Sequence, residues 1–423
     1  MKKFPYKFLI VLYVSFTVTS GFIAPVMGHA FNGTILQQDL DTSGTGYTVM
    51  KVWGTYYEMG YAHGHLLGNQ VDEMVTSFKK YVGLTYNLLK SQISNTFFPA
   101  DMIDEINGIV AGVKEVVPGS AITREDLMVL NTFGDWGYSP ACRSHSCWGS
   151  YVSSSVKTLS TRRTDYSSSQ VSELLDFINI VLCTYEPSDS SKVRWVNLSM
   201  PGIIVSATSV NEYGTIVSIH DSPASGGSHA TGPNVITRSV ALRFMMNIKN
   251  LPADISQQTD FVYNALQSYV PWTGSFLNYF APMGNAGVIS CSANQGFYKL
   301  RKPKQSYFDG EVIITSNQYT DGNSAPSDAT FFNSYYSGSK PKTLADHWGL
   351  LDSVSSLEGA QQFSVEYRDR ANMTIWARGR LLGTATTPII KLEWSELFEV
   401  PGPPTPPKNL RIENKKLIGF NKE

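Results

Sequence analysis

The spacing of apolar residues changes once along this chain, and that change limits what it can fold into. From about residue 57 to 135, apolar side chains recur every three or four positions. The run "YYEMGYAHGHLLGNQVDEMVTSFKKYVGLTYNLLKSQI" keeps this spacing. In "PADMIDEINGIVAGVKEVV", Met102, Ile106, Ile109, Val110 and Val113 form one stripe. "TREDLMVLNTF" opens on Thr123 with Asp126 three residues on, which predicts a capping box. After Cys142 the chain turns to short alternating runs: "WGSYV", "KTLSTRRTDY", "GIIVSATSV", "GTIVSIHDS", "AGVISCS", "EVIITSNQY", "NMTIWARG" and "PIIKLEW". Turns such as Asn211-Glu-Tyr-Gly214 separate them. Helical stretches are expected at about 236–248, 258–270 and 354–369. Helices first, then antiparallel strand pairs enclosing helices, predict an α+β fold; parallel βαβ units are not evident.

The ends are different material. "MKKFPYK" followed by "FLIVLYVSFTVTSGFIAPVMG" and the small residues Gly28 and Ala30 reads as a secretory signal over residues 1–30. The competing reading is an uncleaved membrane anchor, since the apolar run is long enough to span a bilayer. From Val400, "VPGPPTPP" holds five prolines in eight residues. Residues 401–423 are therefore a Pro-rich tail, and residues 31–400 are the globular part. With 42% hydrophobic residues this part can build a large core, and a net charge of −1 offers nothing to nucleic acid or an anionic membrane. Asn32, Asn197 and Asn372 each begin an N-glycosylation pattern.

Two of the four cysteines lie in "ACRSHSCWGSYV", where the helical phase gives way to strands. Three readings are open for Cys142 and Cys147. Extracytoplasmic chains with four cysteines commonly form disulfides, here with each other or with Cys183 and Cys291. A metal site would use Cys142, His145 and Cys147 but lacks a second ligand cluster at zinc spacing. The third reading is a nucleophile made by self-cleavage. A cut just before the cysteine frees an α-amine on the residue that carries the thiol. That amine, with a pKa near 8, can serve as base for its own side chain.

Four motifs resemble the N-terminal-nucleophile cysteine hydrolases, in that family's order and over about residues 50–395. "YYEMGYAHGHLLG" (56–68) is similar to the opening of the penicillin acyltransferase branch. "TRRTDY" (161–166) resembles the family's Arg/Asp strand. "SMPGIIVSATSVNEYGTIVSIHDS" (199–222) resembles its Pro-Gly…Asn-Glu-x-Gly hairpin, and "VIITSNQY" (312–319) its Thr-Asn-His strand. The resemblance implies a four-layer αββα sandwich, autoproteolysis between 141 and 142, and no metal or cofactor. It assigns Cys142 as nucleophile, because Gly149 follows seven residues later in a "WGS" element. The shorter spacing to Asp165 in some relatives favours Cys147 instead. Arg162 and Asp165 would hold the thiol and amine, and Asn317 would donate to the oxyanion. Asp221 would stand near the oxyanion, where relatives often carry Asn. Thr161, Arg163 and Gln318 also depart from the motifs.

Two functions follow from the resemblance. One is a secreted amidohydrolase or acyltransferase acting on linear carbon–nitrogen amide bonds of a small-molecule substrate through a Cys142 thioester. The other is a non-catalytic extracytoplasmic binding module on the same fold, with its cysteines in disulfides.

Overall fold

The computed structural model describes residues 32–40, 46–132, 135, 142–165, 179–205, 207–222, 229–248, 251–306, 308–317, 326–353, 360–379 and 389–398. Residues 1–30, where a secretory signal is expected, and the Pro-rich tail lie outside the described residues. Strands β1 (Gly33–Leu40) and β2 (Gly46–Gly54) lead into α1 (Tyr56–Leu66), α2 (Gly68–Val82), α3 (Tyr86–Ile93), α4 (Ala100–Val116) and α5 (Arg124–Leu130). Next are β3 (Arg143–Cys147), β4 (Thr158–Asp165), β5 (Asn179–Pro187), β6 (Trp195–Ser199), β7 (Thr208–Asn211), β8 (Ile216–His220) and β9 (Val235–Ile236). Helices α6 (Arg238–Asn247) and α7 (Ile255–Leu266) precede β10 (Val270–Pro271), β11 (Ser275–Phe280), β12 (Ala286–Ser292), β13 (Gly296–Arg301) and β14 (Val312–Ser316). Last are α8 (Pro326–Tyr336), α9 (Leu344–Ser353), β15 (Ala360–Tyr367), β16 (Met373–Gly379), β17 (Ile390–Glu393) and α10 (Trp394–Phe398).

These elements make an α+β fold with two large sheets. One has nine strands in the order β1-β2-β5-β6-β7-β8-β11-β12-β13; the other has six, in the order β14-β3-β4-β15-β16-β17. Strand alternation sends successive side chains of β3 to opposite faces. Ser144 meets Ser218 and His220 of β8, in the larger sheet. Cys147, on the other face, shares an apolar cluster with Phe332 and Tyr336 of α8 and Leu344 and Leu351 of α9.

The helical half follows its periodicity. Met102, Ile106, Ile109 and Val113 of α4 are all buried, and Thr123 and Asp126 form the expected capping box on α5. A second box, Thr55 with Glu58, starts α1. Asp126 also accepts from Lys79, Tyr86 and Lys90, tying α5 to α2 and α3. Helices α1 and α4 approach so closely that Gly60 and Gly64 face the carbonyls of Glu105 and Ile109, while Gly108 and Gly112 face those of Tyr57 and Tyr61. The glycines of "YYEMGYAHGHLLG" therefore serve backbone-to-backbone packing.

The strand half departs from the sequence reading in several places. "WGSYV" is a tight helical turn over Gly149–Tyr151. In "GIIVSATSV" the strand begins only at Thr208, because Pro201 and Gly202 turn the chain, with Gly202 at φ 78°. Residues 360–367 are strand β15, not helix. Phe363, Val365 and Tyr367 alternate inward there, between ladders offered by β4 and β16. Helices α8 and α9 had no sequence counterpart. Strands β2 and β5 also pair in parallel, across so many intervening elements that no local βαβ pattern announces it.

Among the glycosylation patterns, Asn197 lies buried inside β6 and accepts from Ser209, so a folded chain cannot present it. Asn372 is exposed in the turn before β16. Among the described residues no helix is long and apolar enough to cross a membrane.

Candidate active site

Cys142 immediately precedes β3, which lies between β14 and β4 in the six-stranded sheet. Ser316 of β14 pairs with Arg143, the last pair of that antiparallel register, with Asn317 following the first and Cys142 preceding the second in sequence. On the other side Arg163 pairs with Arg143 and Arg162 with Ser144. Arg162 is thus on the same face as Cys142, and its Nη2 donates to Cys142 Sγ at 3.2 Å. The same nitrogen donates to the Ile219 carbonyl of β8 at 2.5 Å. A buried guanidinium in contact with a thiol favours the thiolate. Its Nε and Nη1 make no hydrogen bond among the described residues. Asp165 ends β4, one residue beyond the register partner of Cys142, and its side chain lies outside the described residues.

Asp221 is buried just past β8, and its Oδ1 is held by Arg238 of α6. Arg238 also faces Asp135, whose carboxylate accepts from the Arg238 and Ser239 backbone N–H groups and from Ser239 Oγ. Burial raises the Asp135 carboxyl to about 6 against the pull of Arg238. One guanidinium thus lies between the Asp221 and Asp135 carboxylates. Arg163, the motif's Asn position, points to the opposite face and donates to the Leu351 carbonyl and Gln362.

The two neighbouring cysteines differ in surroundings. Cys142 is 2% exposed, beside Arg162. Cys147 is fully buried at the far end of the strand, 3.2 Å from His347 Nε2, and burial pushes its thiol well above the ordinary range. Along an extended strand they are separated by roughly 16 Å, far beyond disulfide reach. Among the described residues no disulfide joins any of the four cysteines, and all four are buried. Cys291 contacts the Ser275 carbonyl and its thiol is pushed up to about 12, chiefly by burial. Among the described residues no group of three His, Cys, Asp or Glu is placed to hold a metal ion.

Three features beside these residues had escaped sequence reasoning. His220 Nε2 is 2.7 Å from Ser144 Oγ, bridging the two sheets next to Cys142. His145 and His347 stack with centroids 4.2 Å apart on the Cys147 side. Arg238 joins Asp221 to Asp135, just ahead of the segment that enters Cys142. The alternation of Ser and His in "RSHSC" and "VSIH" was a signal for the first; the others join residues too distant in sequence to be paired by pattern. His63 Nε2 accepts from the Gly202 N–H, which fixes the Pro201–Gly202 turn, and Arg243 pairs with Glu105 over the Trp195 ring.

No family model matches this chain. An uncharacterized protein of Archaeoglobus fulgidus is 29% identical over 101 residues, covering 21% of this chain and 17% of the relative. The match thus spans less than a fifth of that relative's length.

Proposed function

We propose that residues 31–400 form an N-terminal-nucleophile cysteine hydrolase with αββα layering, and that it cuts its own backbone between residues 141 and 142. The freed amine of Cys142 then takes the thiol proton. The sulfur attacks the carbonyl carbon of a linear carbon–nitrogen amide. Arg162 holds the thiolate, and Asn317 donates to the oxyanion, where a preplaced donor is worth several kcal/mol. The thioester passes to water in a hydrolase or to an amine in an acyltransferase. Asp165 would orient the amine, and Asp221, paired with Arg238, would stand near the oxyanion. The reaction needs no metal or cofactor, and the substrate is a small acylated amine, amino acid or peptide. Residues 1–30 would direct the protein out of the cytoplasm.

The observation that carries this reading is the contact from Arg162 Nη2 to Cys142 Sγ, at a strand end where the last β3–β14 pair, Arg143 with Ser316, is flanked in sequence by Cys142 and Asn317. That no disulfide among the described residues joins the four cysteines supports it over the disulfide-bonded module. Intact mass and N-terminal sequencing of the purified protein, without reductant, test it. A new terminus starting Cys142-Arg143-Ser144 is the expected result. A terminus starting at Cys147 would move the nucleophile, and a single uncut chain would overturn the reading.

A further inference from the structure

The uncut chain poses a problem that the cut enzyme does not have. Before cleavage the nitrogen of Cys142 is an amide and cannot accept a proton, so the first cut needs another base. The inner face of the sheet offers one. His220 ends β8 and is fully buried. Its Nε2 is engaged by Ser144 Oγ at 2.7 Å, two residues along the same strand face from Cys142. Ser144 also lies 3.4 Å from Ser218, which accepts from Asn278, and the His220 carbonyl accepts from Ser275. Ser144 thus holds the ring from one side, and the Cys142 backbone reaches it as well. Burial and the Arg162 charge hold the ring neutral; the adjacent Cys142 backbone pulls the other way. A neutral imidazole keeps one ring nitrogen unprotonated, and beside the residue to be activated it can accept a proton.

We propose that His220, oriented by Ser144, is the proton acceptor for the self-cleavage step. This rests on the reading of Cys142 as an autoproteolytic nucleophile. The thiol gives its proton to the ring, and the sulfur bonds to the Ala141 carbonyl carbon. The carbon–nitrogen bond to Cys142 then breaks, and the ring returns the proton to the leaving nitrogen. Water hydrolyses the thioester to the Ala141 carboxylate and the Cys142 thiol, now carrying a free amine. Thereafter the amine replaces the imidazole as base.

The test follows the appearance of the cut in full-length protein by intact mass, with Cys142→Ala as the folded, uncut reference. His220→Gln keeps a hydrogen-bonding partner for Ser144 but cannot relay a proton. It is expected to melt like the reference and to cut roughly 10²-fold more slowly than wild type. His220→Gly should be slow as well and be accelerated by added imidazole. A folded His220→Gln that cuts at the wild-type rate overturns the proposal. So does a folded His220→Gly that imidazole does not help, because His220 would then act by packing. If His220→Gln does not fold, Ser144→Ala decides: a shift in the pH profile of cutting supports the proposal, and an unchanged profile overturns it. Wild-type protein that never cuts removes the underlying reading, whereas cutting that is indifferent to His220 removes this inference alone.

Discussion

Arg162 Nη2 reaches the Cys142 sulfur and the Ile219 carbonyl at once, the first in its own sheet and the second in the other. The guanidinium is clamped between the two sheets, and the charge beside the thiol is fixed before any substrate arrives. Such a cation is effective because it is buried and needs no reorganisation. The predictions below follow from this arrangement and from the packing around it.

Arg162→Ala should move the appearance of the Cys142 thiolate to higher pH than in wild type, because the guanidinium touching its sulfur is gone. Thiolate absorbance at 240 nm between pH 6 and 9 reads this. Burial pushes the thiols of Cys147, Cys183 and Cys291 upward, so they stay silent in that range. Arg162→Lys should fall between the two, because it keeps the charge but loses the planar fork that spans both partners. An unchanged titration in the Ala variant would mean that the contact does not govern the thiol.

Cys142 and Cys147 should separate by phenotype. Cys142→Ala is expected to leave the chain uncut with its stability little changed. Cys147→Ala is expected to be cut normally but to lose about 1–3 kcal/mol, because His347 Nε2 loses its buried partner. Urea unfolding with parallel mass analysis checks both. Loss of cutting in the Cys147 variant would reverse the assignment.

Stability should fall as the pH drops below about 6.5. His63, His145, His220 and His347 are fully buried, and burial lowers the pKa of each, to about 4 for His63 and about 3 for His347. Between those values and the unfolded 6.5, the unfolded chain binds more protons, so stability is lost as pH falls through this window. Glu105 and Asp135, raised by burial to about 7 and about 6, work in the opposite direction and blunt the effect. The four histidines outnumber them, so the urea midpoint should be lower at pH 4.5 than at pH 7. His63→Asn should flatten the dependence.

Gly60→Ala and Gly108→Ala should each destabilise by about 3 kcal/mol or more. The added methyl would overlap the Glu105 or Tyr57 carbonyl, and a backbone atom cannot rotate away as a side chain can. Gly83→Ala is the spatial control. Its Cβ would meet nothing within contact distance, leaving only the strain of its φ of 62°. Thermal melts should rank both helix-contact variants below it.

Local chemistry was legible in the sequence. The stripe on α4 and the capping box at Thr123 both rest on residues three or four apart, and these meet whatever the rest of the chain does. The run "AGVISCS" likewise became β12 with the bounds it had on paper. The turn at 202–205, the strand at 360–367 and the parallel β2–β5 pair were not legible, because each depends on partners distant in sequence. The candidate site divides in the same way. Its residue types could be named from motifs, but the pairing of Arg143 with Ser316, next to Cys142 and Asn317 in sequence, is a matter of strand register. The contact of Arg162 with the sulfur, the pairing of Asp221 with Arg238 and the approach of His220 to Ser144 all cross between elements. Periodicity specifies which face of an element is apolar; only the packed tertiary structure determines which polar groups meet between two sheets.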